Sequence, residues 1–317
     1  METAKTSIWR SKQQAATRME YKKRLRQNLP LLAMFIPVII YFIVFKYSPM
    51  FGQIIAFKKY TFAQGIIGSP WVGWDNFEFI FSNPNAVNII RNTFMLSVLS
   101  VFIGFPFPII LAIMLTEVRK TWFKKSVQTL VFLPHFLSWV IVGGMIALIF
   151  SQTTGVVNTV VDYLFGFKYA FLMKPGSWIT IFVGSGIWKG AGWSAIIYLA
   201  ALTNIDQSLY EAADIDGAGK WRKIWSVSIP GILPMIILMF ILAMGNIMEV
   251  GFDQVYVLQN AAVLDVSEVI STYIYTYGLQ NGLFSITAAM GLFDSLIGFI
   301  LILTVNQIAR KFDRGLW

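Results

Sequence analysis

The 317-residue sequence has no cysteine, a single histidine, and charged side chains at only 13% of positions. Without cysteine there can be no disulfide framework, thiolate zinc site or thiol nucleophile. One histidine removes most metal-ligand sets and histidine-based catalytic constellations. The low charge is the broadest exclusion, since a soluble domain of this size carries nearer a quarter charged residues. What replaces the missing charge is apolar surface: 56% of the chain is hydrophobic. The composition therefore points to a lipid-embedded body, and the length of its apolar runs to an all-α membrane protein.

A hydrocarbon core of roughly 30 Å takes about 20 apolar residues per helix. Stretches 93–116, 127–150, 177–203, 227–250 and 284–307 meet that length. A sixth, 29–45, is shorter and can extend to Phe57. Prolines 30, 37, 106, 108 and 134 lie inside or beside these stretches, and neighbouring helices can satisfy the backbone groups they free. The expected count is six spans.

The net charge of +9 would suit a nucleic-acid partner, but its distribution argues otherwise. Residues 1–28 hold eight Lys and Arg, the loop 117–126 four, residues 220–223 three, and the tail from Arg310 three more. Those segments fall on one side of the expected spans. By the positive-inside rule that side is cytoplasmic, giving a multi-pass membrane protein with both termini inside. Segment 1–28 reads as a basic cytoplasmic arm lying on anionic lipid, with no nucleic-acid partner. It is too long for a signal-peptide n-region, and no small-residue cleavage site follows.

Catalytic motifs fail on inspection. Gly217-Ala218-Gly219-Lys220 imitates a phosphate loop, but Asp214 and Trp221 stand where Gly and Ser or Thr are needed. The run GSGIWKG at 184–190 misses the dinucleotide spacing. His135, in FLPHFLSW, reads as a packing residue. No enzyme activity, bound metal or cofactor is expected of this chain.

The segment EAADIDGAGKWRKIWSVSIPGILP, Glu211 to Pro234, is the polar exception. Ser208 can cap a short helix, with Glu211 three residues on as in a capping box, and Gly217 can end it. Ala212 and Ala213 leave a smooth face, while Asp214 and Asp216 keep the other wet. The basic, Trp-rich stretch after Lys220 suits an interfacial helix lying flat before the next span. These residues alone support a docking surface and no more.

The segment resembles the EAA loop, E-A-A-x3-G-x9-I-x-L-P, of permease subunits in binding-protein-dependent ABC importers. The matching residues are Glu211, Ala212, Ala213, Gly217, Val227, Ile229 and Pro230. Val227 and Ile229 depart from the pattern but stay apolar. The loop also precedes the fifth of six expected spans, as in that family. FLPHFLSWVIVGG, FDQVYVLQN and WVGWDNFEFIF look like its carbohydrate branch, nearest to the permeases of complex oligosaccharides such as those of the alginate type.

The resemblance implies the type I importer architecture, with residues 29–317 as the permease domain and 205–230 as its coupling loop. Helix 208–217 would dock on a separate ATPase through Glu211, Ala212, Ala213, Asp216 and Gly217. ATP and Mg would be held by two such ATP-binding subunits. A second permease, as a heterodimer, and an extracytoplasmic solute-binding protein would complete the assembly in membrane lipid. The sugar path would use Trp188, Lys189, Gly190 and Trp193, then Asn246, Glu249 and Phe252. Charge inside a span is costly, so Lys189 and Asp294 stand out as well. Lys189 either pairs with Glu249 or faces the path unpaired, and the latter would favour an acidic sugar. The alternative is a secondary transporter of small solutes with no ATPase, which would need repeats and coupling carboxylates.

Overall fold

A computed structural model describes residues 28–311. The basic arm expected over 1–28 lies outside the described residues except for Asn28. The chain divides into two units, Met1–Ile54 and Ile55–Trp317. Among the described residues the secondary structure is helical, with one isolated bridge between Lys58 and Trp71.

Helix α1 covers Asn28–Phe57, longer than the apolar core 29–45 because the apolar character continues past Lys46. In the second unit α2 (Asp75–Ser82) leads into α3 (Pro84–Glu117). The start of α3 follows from its sequence: Asn83 accepts a hydrogen bond from the Asn85 amide, and Pro84 occupies the first turn. Phe105 interrupts it before Pro106, which has no amide hydrogen to give the preceding turn. Next come α4 (Thr121–Phe136) and α5 (Trp139–Ile149), then α6 (Val156–Phe165) and the 29-residue α7 (Pro175–Thr203). The short α8 (Gln207–Ile215) precedes α9 (Lys220–Gly245), α10 (Phe252–Leu258), α11 (Ile270–Tyr273) and α12 (Phe284–Arg310).

Among the described residues four helices, α1, α3, α9 and α12, are long and apolar enough to cross a membrane. The stretch 127–150, expected as one straight span, is instead α4 and α5 meeting at 102°. The cause is local: Pro134 tightens the end of α4 into a 3-10 turn, Leu137 is extended, and Ser138 caps a new helix by accepting from the Ile141 amide. Helix α7 has ample length, but its glycines, serines and Lys189 dilute its apolarity. A count of six therefore requires both the bent pair and α7 to be spans.

The fifth expected span also shifts. It begins at Lys220 rather than 227, and the helix stops at Gly245. The basic, Trp-rich stretch is thus the first turns of α9 itself, not a separate flat helix. One π turn, Ile224–Ser228, widens α9 just before Pro230. Pro230 cannot donate to the carbonyl four residues back and its ring crowds that carbonyl, so a widened turn relieves the conflict.

Three apolar clusters hold the second unit together. Phe77, Ile80, Ile89, Met244, Tyr273 and Met290 join α2, α3, the end of α9, α11 and α12. Leu96, Val142, Trp178, Phe182 and Val255 join α3, α5, α7 and α10. Ala112, Ala195, Tyr198, Leu202 and Ile232 join α3, α7 and α9. Helix α3 enters all three and α7 two of them, so these two helices are the central struts. The crossing of α7 with α4 depends on Gly192, where an added Cβ would lie 2.0 Å from the Val131 carbonyl oxygen.

Candidate functional site

Helix α8 is built to be short and stiff. Asp206 caps it, accepting from the Ser208 amide at 2.9 Å, and hydrogen bonds from Ser208 hold the Asp206 carboxyl below the usual aspartate range. The expected cap, Ser208, is instead the second residue of the helix, and no Ser208–Glu211 capping box forms. Both candidates sit in IDQS, and aspartate takes the role because its carboxylate reaches the free amide one turn earlier.

Gly217 ends the helix as expected. Its φ of +71° is the left-handed conformation that side chains resist. The Ala218 amide reaches the Ala213 carbonyl at 2.8 Å and the Gly217 amide the Asp214 carbonyl at 3.0 Å. This pair of bonds is a Schellman closure, which satisfies the last carbonyls in two residues. Of the expected docking residues, Glu211, Ala212 and Asp216 are exposed and Ala213 is half-buried. Ile215, which sequence reasoning did not single out, is 87% exposed beside them. An apolar residue one turn after Glu211, on a helix otherwise so polar, was the available signal.

The inner face of α8 is tied to α9. Tyr210 and Ser228 share a hydroxyl hydrogen bond of 2.9 Å, and Lys223 pairs with Asp214 at 2.7 Å. Lys220 lies 3.5 Å from Glu117 at the end of α3. An added Cβ at Gly231 would come within 2.6 Å of Ile205, so the loop before α8 packs closely on α9.

The expected path residues do not converge on one cavity. Gly190 lines a cavity of about 340 Å³ between α3, α7, α9 and α10, with Ser100, Ser194, Tyr198 and Gln254 among its lining. Trp188 faces a different one of about 470 Å³ between α5 and α7. Glu249 and Phe252 line a third of about 380 Å³, together with Ser271 and Asp294. Lys189, Trp193 and Asn246 line none of these three.

Lys189 is engaged where α4 breaks from α5. Its ammonium donates to the His135 carbonyl at 2.8 Å and lies 5.4 Å from the centre of the Trp139 ring. Trp193 stacks on the His135 ring, with centroids 4.6 Å apart and planes within 3°. The bend frees a carbonyl from helical pairing, and the lysine supplies the missing donor. Lys189 and Glu249 form no ion pair among the described residues. Glu249 follows the end of α9 in a turn rather than closing the helix.

The third cavity has the chemistry to hold hydroxylated ligands. Glu249 and Asp294 offer acceptors, and one Asp294 oxygen is buried without a hydrogen-bond partner among the described residues. Beside them Phe252 stacks on Tyr256 at 5.2 Å and tilts against Tyr275 at the same distance. Gln254 was also missed from the sequence. It is buried, donating to the Phe182 carbonyl at 2.7 Å and to Ser185 Oγ at 3.2 Å. Its position in FDQVYVLQN, a stretch already singled out, was the clue.

Comparison with known proteins supplies the family. Residues 104–316 match the profile of the binding-protein-dependent transport system inner membrane component. The polygalacturonan/rhamnogalacturonan transport system permease protein YteP of Bacillus subtilis is 42% identical over 93% of this chain and 92% of its own length. Protein LplB of the same organism is 42% identical over 92% of this chain and 91% of its own. A crystal structure of a bacterial ABC transporter involved in the import of the acidic polysaccharide alginate superposes with a TM-score of 0.84. That chain is 39% identical, over 91% of this chain and 98% of its own. A further structure, of the bacterial alginate ABC transporter with an alginate pentasaccharide-bound periplasmic protein, gives 0.85 at 38% identity, over 92% and 98%. With its multi-pass helical fold, its polar helix α8 between two long helices, and a match over most of its length, the chain belongs to the inner-membrane permease components of binding-protein-dependent ABC transporters, a non-catalytic transport subunit.

Proposed function

We propose that this chain is one of two permease subunits of an ATP-driven importer in a bacterial inner membrane, passing an oligosaccharide inward from a solute-binding protein. The observation that carries the reading is α8: a capped, Schellman-closed helix with Glu211, Ala212 and Ile215 exposed outward and its other face fixed to α9. Such a helix is suited to seat in a groove of a cytoplasmic ATPase, which would hold ATP and Mg. Its basic flank, Lys220 to Lys223, favours the cytoplasmic side, which with six spans supports both termini inside.

The substrate class rests on the relatives. One is named for polygalacturonan and rhamnogalacturonan and two matched structures are of an alginate importer, so a uronate-containing oligosaccharide is the substrate proposed here. Lys189 does not support that acidity, because its ammonium is already held by the His135 carbonyl. Glu249 and Asp294 would repel a carboxylate while accepting sugar hydroxyls, and Phe252 offers a ring for pyranose C–H faces. The acidic groups would then be read by the binding protein and the second permease.

The test is reconstitution of the chain in proteoliposomes with a second permease, the ATPase and a binding protein loaded with alginate or polygalacturonate oligosaccharides. ATP-dependent uptake should appear, and Glu211→Lys should abolish it while the chain still folds. Uptake that proceeds without any ATPase, or is indifferent to Glu211→Lys, would remove the proposal.

A further inference from the structure

A helix that receives force at α8 and must move α9 faces a mechanical difficulty. Between α8 and the apolar part of α9 lies the π turn Ile224–Ser228, where the regular α-helical hydrogen bonding is replaced by a wider turn. A load entering through Gly217 and Gly219 would be spent in that turn before reaching the apolar part of α9. Two contacts bypass it. Tyr210 in the middle of α8 meets Ser228, the last residue of the π turn, and Ile205 packs on Gly231 beyond it. By contrast, the ion pair of Lys223 with Asp214 joins α8 to the near side of the turn.

We infer that the Tyr210–Ser228 hydrogen bond is a positioning contact that makes α8 and the membrane part of α9 move as one body across the π turn. The inference rests on the coupling role of α8 proposed above. Tyr210 is half-buried and Ser228 is 6% exposed, so their bond is shielded from competing water. The Lys223–Asp214 pair is more open, with Asp214 62% exposed, and pairs of that kind contribute little. The hydroxyl pair is therefore the specific link, and the charges are its support.

The experiment uses the complete transporter in proteoliposomes with uronate oligosaccharide as probe, and reads sugar moved per ATP hydrolysed. Tyr210→Phe and Ser228→Ala should each lower that ratio roughly threefold to tenfold, the size of one hydrogen bond's net contribution, with the ATPase still copurifying. The double variant should be no worse than either single one, and Ser228→Thr should restore the ratio by returning a hydroxyl. A merely structural contact would lower yield or thermal stability and leave sugar per ATP unchanged. That result, with the complex intact, overturns the inference. If Tyr210→Phe fails to assemble, Ser228→Ala decides. Copurification of the ATPase with the unaltered chain, and its loss in Glu211→Lys, tests the coupling role separately: failure there removes both readings, and failure of the ratio alone removes only this one.

Discussion

The turn that joins α8 to α9 and the joint between α4 and α5 both put lysine beside tryptophan at a break in helical structure. In the first, Lys220 and Lys223 meet carboxylates, and Trp221 and Trp225 are 77% and 68% exposed. In the second, Lys189 turns toward a backbone carbonyl, with Trp139 over its ammonium and Trp193 stacked on His135. The difference follows from the surroundings. Outside an apolar body a break can be satisfied by water and by charge. Inside one, the acceptor exposed by the break has to find a donor from the protein itself. One break is open to its surroundings, and the other is closed on itself.

Substitutions can break or sharpen that contrast. The largest effect is expected from Gly192→Val, since even a Cβ there collides with the Val131 backbone at the crossing that supports the joint. A cost above about 3 kcal/mol is expected, seen as loss of folded, detergent-extracted protein. Next is Lys189→Met, which leaves the His135 carbonyl without its donor. Stability should fall by about 1.5–3 kcal/mol, while the preference for acidic over neutral oligosaccharides stays as it was. A changed preference with unchanged melting would place Lys189 on the sugar path instead.

On the open side the expected effects are smaller. Gly217→Ala must hold a left-handed φ, at a cost of about 1–2 kcal/mol. Faster amide exchange should be confined to the end of α8, with global melting nearly unchanged. Asp206→Ala should loosen the first turn, whereas Asp206→Asn should not, because asparagine caps equally well. The lowered Asp206 pKa gives the sign of the pH effect: its contribution is present above the ordinary aspartate range and is lost as pH falls through the lowered value. Protection of the Ser208 amide, taken relative to its intrinsic exchange rate, should therefore fall only in acid for the natural chain and show no such step in Asp206→Ala.

The sequence made some of this legible and hid the rest for identifiable reasons. Apolar runs located the long helices, because a run of that length has few other uses. The glycine at 217 announced its own left-handed turn, and EAA with its downstream proline carried the family. What stayed hidden depended on backbone groups far apart in sequence. The partner of Lys189 is a carbonyl 54 residues away, and a carbonyl has no residue identity to read. The bend at Leu137 was signalled by Pro134 and Ser138 but was concealed by the apolar run around them. Glu249 seemed to close a span because apolar residues continue to Val250, whereas the helix ends at Gly245.

The π turn in α9 also fixes an angular relation. A π turn carries one residue more than the α turn it replaces, so it sets the phase between the helix before it and the helix after it. Removing any single residue from 224–228 would leave a continuous helix but rotate everything upstream by about 100° relative to the membrane portion. The outward face of α8 would then look sideways, with its own composition untouched. The direction in which the exposed face of α8 looks is thus written in the length of a segment outside α8.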